Sequence, residues 1–321
     1  MEKSDKVLIV GTTPETAGIG GVTIHIQRLL QWLDLGRFAY DLCDYKKLGL
    51  LEQFRLMRKH KVAHIHISKP FPRLVYLMYC KLVGTRSILT VHGNIGRFNW
   101  LKNQMDKLSV RICDVPILIN ANSFEKAKKW NKDSVMLSVF LPPTEDGYLP
   151  EYAEKAIEEA KAKGKEIVSS NASVMSFTDS GEEIYGINFA IDFFKNRPEY
   201  FFFVSDPSGQ YAVKYKGETF DNILFISERH SFYKLMKLSD VMLRPTATDG
   251  DALSVKEGLY LDKKVIATDR VDRPEGVLLF EYNNADSLER ALHSEKLTNN
   301  TLRDEKVVES LKTIYKQLSK R

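Results

Sequence analysis

Short apolar runs alternate with longer amphipathic stretches along almost the whole chain, and this alternation dictates βαβ units wrapped around parallel sheets. In the first half the runs at 6–11, 40–43, 63–67, 87–92 and 115–120 read as strands. Helices at 21–33, 48–59, 72–83, 97–111 and 123–130 separate them, with Ser123 as the N-cap of the last, and 133–141 reads as a further strand. The turn-rich segment 141–147, with Pro142, Pro143 and Gly147, then breaks the pattern. A charged helix at 150–163 and a strand at 166–176 open the second half. Strands at 199–204, 222–227, 240–244, 264–268 and 277–280 follow, spaced by helices at 186–195, 230–238, 252–261 and 285–294. The polar amphipathic helix at 301–319 finds no partner in that second set. The expected class is α/β, two consecutive doubly wound domains at 1–143 and 144–300, with 301–321 set apart.

The length of 321 residues supplies two ordinary cores, and no apolar run is long enough to span a bilayer. Lys3 and Lys6 lead straight into the apolar run Val7–Val10 with no signal-peptide pattern, so a cytoplasmic location is expected. Cys43, Cys80 and Cys113 are widely spaced in apolar surroundings and read as buried, reduced thiols, without zinc spacing. Charge is uneven: residues 1–143 carry 22 Lys and Arg against 11 Asp and Glu, the remainder 25 against 31. An anionic partner for the first half alone would match this, as would a plain solvated basic surface.

The stretch 239–259 carries the most chemistry. A strand ending at Arg244 runs through a polar loop (Pro245, Thr246, Asp249, Gly250, Asp251) into a helix beginning near Ala252. In an open α/β sheet this is the carboxyl edge, where ligands sit. The first-turn amides at Leu253 and Ser254 offer a diphosphate site, and Glu257 can accept hydrogen bonds from a ribose diol beyond it. Asp249 would face the transferred sugar. Read alone, the same residues are an Asp251 N-cap and a surface glutamate. With the following Val265-Ile266-Ala267-Thr268-Asp269 strand, the segment resembles the E-x7-E region of retaining GT-B glycosyltransferases, with Asp249 in place of the first glutamate. Gly276-Val277-Leu278-Leu279-Phe280 is similar to that family's pocket-closing G-x-L-F segment, and 272–275 ahead of it reads as a polar lid or a surface turn.

Gly20 and Gly21 match the family's glycine loop, and His92, ending the fourth strand, matches its sugar-contacting histidine. The rival for the glycine stretch is a dinucleotide fingerprint, but Thr23 stands at its third glycine. His64 and His66 alternate among apolar neighbours and read as structural; no third metal ligand is evident near them in the sequence. Where many relatives hold an Arg and a Lys-Gly pair, residues 173–186 carry neither, with Tyr185-Gly186 in the Lys-Gly place. Arg244 is the expected substitute cation.

The resemblance implies a GT-B architecture: two Rossmann-like domains with a central cleft, the first binding acceptor and the second a nucleotide-sugar, and a C-terminal helix crossing back onto the first. It also implies retaining transfer from a UDP-sugar, with no cofactor and no metal, to a glycan or lipid-linked acceptor of surface polysaccharide assembly. Basic and aromatic residues at 73–81 and 97–102 would allow peripheral contact with the inner membrane, although core-facing helices with basic rims read the same way. No nucleic-acid motif appears. A non-catalytic GT-B-like binding protein and a dinucleotide oxidoreductase are the other classes weighed.

Overall fold

The computed structural model describes residues 3–18, 20–138, 140–249, 252–297 and 306–320. Contacts divide the chain into two units, Met1–Thr144 with Asp304–Arg321, and Glu145–Arg303.

The first unit is built on β1 (Ser4–Gly11), β2 (Tyr40–Asp44), β3 (His60–Ile65), β4 (Arg86–Val91), β5 (Val115–Leu118) and β6 (Val135–Met136), in the order β2-β1-β3-β4-β5-β6. Every pairing is parallel. Its helices are α1 (Pro14–Ala17), α2 (Gly21–Leu35), α3 (Leu50–Lys59), α4 (Pro70–Leu82), α5 (Trp100–Ile112) and α6 (Ala121–Lys128). A parallel sheet buries both faces, so its strands are apolar throughout. Leu8, Val10, Ile65 and Val91 pack into one core, while Val7, Ile9, Val62 and Ile88 pack into another on the opposite face. That second core is completed by α13 (Lys306–Ser319), through Val308, Leu311, Tyr315 and Leu318. Tyr315 is pinned at its hydroxyl, 2.7 Å from His64 Nδ1, while His64 Nε2 lies 2.7 Å from Thr90 Oγ1.

The second unit repeats the plan with β7 (Glu166–Asn171), β8 (Tyr200–Ser205), β9 (Ile223–Ile226), β10 (Val241–Arg244), β11 (Lys264–Thr268) and β12 (Val277–Phe280), in the order β12-β11-β10-β7-β8-β9. Helices α7 (Glu151–Ala162), α8 (Ile187–Phe194), α9 (Gln210–Lys214), α10 (Phe232–Leu238), α11 (Leu253–Tyr260) and α12 (Ala285–His293) cover it. Phe202 and Val204 face one core and Phe203 the other, the two-residue strand period at work. Gly258 lets α11 lie close on the sheet: a Cβ there would come within 2.8 Å of the Val265 side chain.

Local differences from the sequence reading have simple causes. The strand expected over 133–141 pairs only at Val135–Met136. Ser123 is not an N-cap: Asn120 Oδ1 accepts from the Ser123 N–H at 2.9 Å, so the helix starts earlier. Ser123 Oγ instead accepts from the Ile95 N–H. The short helices α1 and α9 were too brief to show a period.

Candidate active site

In each unit the strand order reverses once, between β1 and β3 in the first and between β7 and β10 in the second. Ligands of open α/β sheets bind outside the carboxyl ends of strands at such points. The informative residues of the sequence collect at these two edges.

At the second-unit edge, Arg244 closes β10 and Asn171 closes β7. The Arg244 guanidinium donates to the Asn171 carbonyl and side-chain oxygens, both at 3.1 Å. Its other face holds Asp249, with Nε to Oδ2 at 2.8 Å and a second contact to Oδ1 at 3.3 Å. Arg273 approaches the same carboxylate at 3.2 Å and donates to Thr246 Oγ1 at 2.9 Å. All three side chains are deeply buried, at 9, 11 and 3 % exposure for Arg244, Asp249 and Arg273. Burial works to raise the Asp249 pKa, but the two guanidiniums outweigh it and hold the carboxyl below its ordinary value. Two cations share one carboxylate, and Arg273 Nε is buried without an acceptor. Among the described residues the cluster thus carries an excess of positive charge and a spare donor.

Asp249 therefore sits between two arginines, not free toward a sugar, and Arg244 is already engaged by Asp249 and Asn171. Arg273 does not lie in a plain surface turn, since its guanidinium is buried in this cluster. Nothing in its local sequence marks it, because its partners lie on other elements.

Two helix N-termini open near this edge, and they differ. At α8, Glu183 caps the helix itself, accepting from the Ile187 and Asn188 N–H groups at 3.1 and 3.0 Å. Tyr211 donates to the same carboxylate at 2.5 Å. The segment before α8 packs tightly on the loop after β10, where a Cβ on Gly186 (φ +63) would collide with the Pro245 carbonyl, and the Ala247 N–H donates to the Ile184 carbonyl. Tyr185 lies under the Arg244 guanidinium at 5.2 Å. At α11 the N-cap is Ala252, which has no side-chain acceptor to offer, so the first-turn amides of Leu253 and Ser254 are not capped by it. Asp251, the other candidate cap, lies outside the described residues. Further along α11, Glu257 is buried at 5 % exposure and Ser254 at 8 %. A surface glutamate it is not.

At the first-unit edge, Gly20 and Gly21 open α2, with space where a side chain would stand at Gly21. Thr23 Oγ1 ties the loop, accepting from the Gly20 N–H at 3.0 Å and donating to the Gly18 carbonyl at 2.8 Å. One turn along, His25 meets two histidines from strand ends. His92 follows β4 and His66 follows β3, with His66 Nδ1 3.0 Å from His92 Nε2. Both of these neighbours of His66 are remote in the chain, so the sequence around it shows no sign of the meeting. Burial first, then the neighbouring imidazoles, lowers the pKa of His66 and His92 well below the ordinary histidine value, so both are neutral at pH 7.

The architecture matches solved structures over nearly its whole length. It is similar to Anabaena HepE in complex with UDP, with a TM-score of 0.65 at 12 % identity over 98 % of this chain and 95 % of that one. It is similar to sucrose-phosphate synthase from Thermosynechococcus elongatus, with a TM-score of 0.65 at 13 % identity over 98 % and 99 %. The fold is GT-B. UDP-GlcNAc 2-epimerase from Methanocaldococcus jannaschii also matches, with a TM-score of 0.63 at 11 % identity over 97 % and 99 %. No protein-family model matches the chain, and no curated protein matches its sequence. Since one GT-B fold serves both synthase and epimerase, the reaction has to be argued from side chains.

Proposed function

We propose that the protein is a retaining, metal-independent glycosyltransferase that takes a UDP-sugar on its second unit and delivers the sugar to a glycan or lipid-linked glycan. The observation that carries this is the contrast between the two helices at the second-unit edge. The α8 terminus is already filled by Glu183, whereas α11 has no side-chain cap from Ala252 and begins beside a buried cluster with surplus positive charge. A diphosphate suits both the amides and the charge. Glu257 then accepts from the ribose hydroxyls. Arg273, through its spare Nε–H, joins Arg244 as a charge partner for the phosphates, in the role that an Arg and a Lys fill in the relatives. In the first unit, the neutral His92 is the group assigned to the transferred sugar, and Gly20-Gly21 the backbone open to a ligand. UDP in the HepE structure is consistent with this donor class.

The test is a panel of nucleotide-sugars, followed first by thermal shift and then by nucleotide release. A UDP-sugar is expected to raise the Tm, and release is expected to continue in EDTA with retention at the anomeric carbon. Inverted product, or release abolished by EDTA, refutes the mechanism. Binding without release on any acceptor favours the non-catalytic GT-B-like reading, which draws on Tyr185 in the Lys place and on Glu183 filling the α8 terminus.

For the acceptor, α3, α4 and α5 support peripheral contact with an anionic membrane surface. Leu51 is 85 % and Trp100 74 % exposed, and Phe71, Met78 and Leu82 are exposed as well. Lys3, Arg55, Arg58 and Lys59 line a groove with Tyr79 and Leu82. Arg73 is not among these contacts: it is buried in an ion pair with Asp106. No helix among the described residues is long and apolar enough to cross a membrane. Sedimentation with vesicles containing anionic lipid is expected, falling as salt rises. Equal recovery with neutral vesicles, or none with either, counts against it.

A further inference from the structure

We propose that His25, His66 and His92 form a binding site for one divalent transition-metal ion of the zinc class. One ligand nitrogen from each ring lies within 4.8 Å of the other two. The ring centroids form a nearly equilateral triangle, at 5.3 Å for His25–His66, 5.2 Å for His25–His92 and 5.2 Å for His66–His92. The three come from separate elements, α2 and the segments following β3 and β4, converging at the edge where the strand order reverses.

A set of stacked core histidines would find each polar nitrogen a partner, as His64 next door does, with Tyr315 on one side and Thr90 on the other. His66 is fully buried, yet its Nε2 has no hydrogen-bond partner. The three-histidine cluster is therefore not a closed hydrogen-bond network of the His64 kind. Three imidazoles without a carboxylate select zinc-class ions over magnesium or calcium, and three protein ligands leave a fourth position open. Neutral rings are the form that binds, so no proton need be lost: each imidazole keeps one N–H on the nitrogen facing away from the ion. The short His66–His92 hydrogen bond gives way as the ion takes its place. Bringing nitrogens now up to 4.8 Å apart to a common ion needs only a small inward movement of the rings.

The site shares His92 with the proposed sugar contact, but its readout is metal uptake alone, so its failure leaves the transferase reading untouched. The full chain is stripped with EDTA, dialysed, and titrated with Co²⁺ at pH 7.5. One equivalent is expected to bind with the visible absorption of a tetrahedral site, and one equivalent of Zn²⁺ is expected to abolish it. His25→Gln and His66→Gln should each weaken uptake at least tenfold, while His293→Gln, on an exposed helix end, should not. Absence of the visible bands in the unaltered protein overturns the proposal, as does uptake unchanged in the first two variants. Where those variants fail to fold, the Co²⁺-shifted imidazole N–H proton resonances of the unaltered protein count the ligands. Three such signals support the site, and fewer overturn it.

Discussion

Asp249→Ala is expected to destabilise the second unit by about 3–5 kcal/mol, because among the described residues it leaves two buried guanidiniums without a counter-charge. For a unit of this size that corresponds to a fall of roughly 6–20 °C in Tm, measured by calorimetry. The cost comes from the stranded cations more than from the lost hydrogen bonds. Replacing Asp249, Arg244 and Arg273 together by apolar residues of similar volume should therefore recover much of the loss while abolishing nucleotide binding. A single Asp249→Ala melting within one degree of the parent would show that the cluster is solvated. The same group sets an acid limit. Its carboxyl is held below the ordinary value in the folded state, so its contribution is complete above the unfolded value near pH 4 and is lost as pH falls through the folded one. Asp249→Ala should accordingly flatten the acid limb of the stability profile.

Glu257→Gln is expected to reduce UDP affinity by about 10- to 150-fold, corresponding to roughly 1.5–3 kcal/mol for a charge-assisted hydrogen bond. Gln keeps the shape of the buried side chain but loses the charge and replaces one of the two acceptor oxygens with an NH2 donor, so only one ribose hydroxyl still meets an acceptor. Titration calorimetry with UDP and with its 2′- and 3′-deoxy forms separates binding from packing. In the parent, removing a ribose hydroxyl should cost affinity; in the variant that cost should shrink for at least one of the two hydroxyls. If the parent itself ignores the hydroxyls, Glu257 does not hold the ribose.

Both expectations draw on residues whose importance was unevenly visible in the sequence. The apolar alternation marked most strands because a parallel sheet covered on both faces leaves no polar side, as Val7–Val10 shows with every residue buried. Glu257 was legible through its spacing from Asp249 and the strands on either side. Arg273 and His25 were not: each acts through partners that the chain brings from 24 and 41 or more residues away, and linear spacing carries no trace of that meeting. Glu183 was hidden for another reason. A carboxylate four residues ahead of the amide it caps looks like any polar loop residue until the backbone around Gly186 is known.

The packing of α13 against β1 and β3 also bears on how the polypeptide matures. Tyr315 and Leu311 share a core with Val7 and Ile9, residues that leave the ribosome some three hundred positions earlier. Nascent chain emerging first must wait, with one sheet face uncovered, until residues 308–318 have been made. The intervening unit holds all of its own strands and can finish folding before then, so synthesis order and folding order run opposite ways.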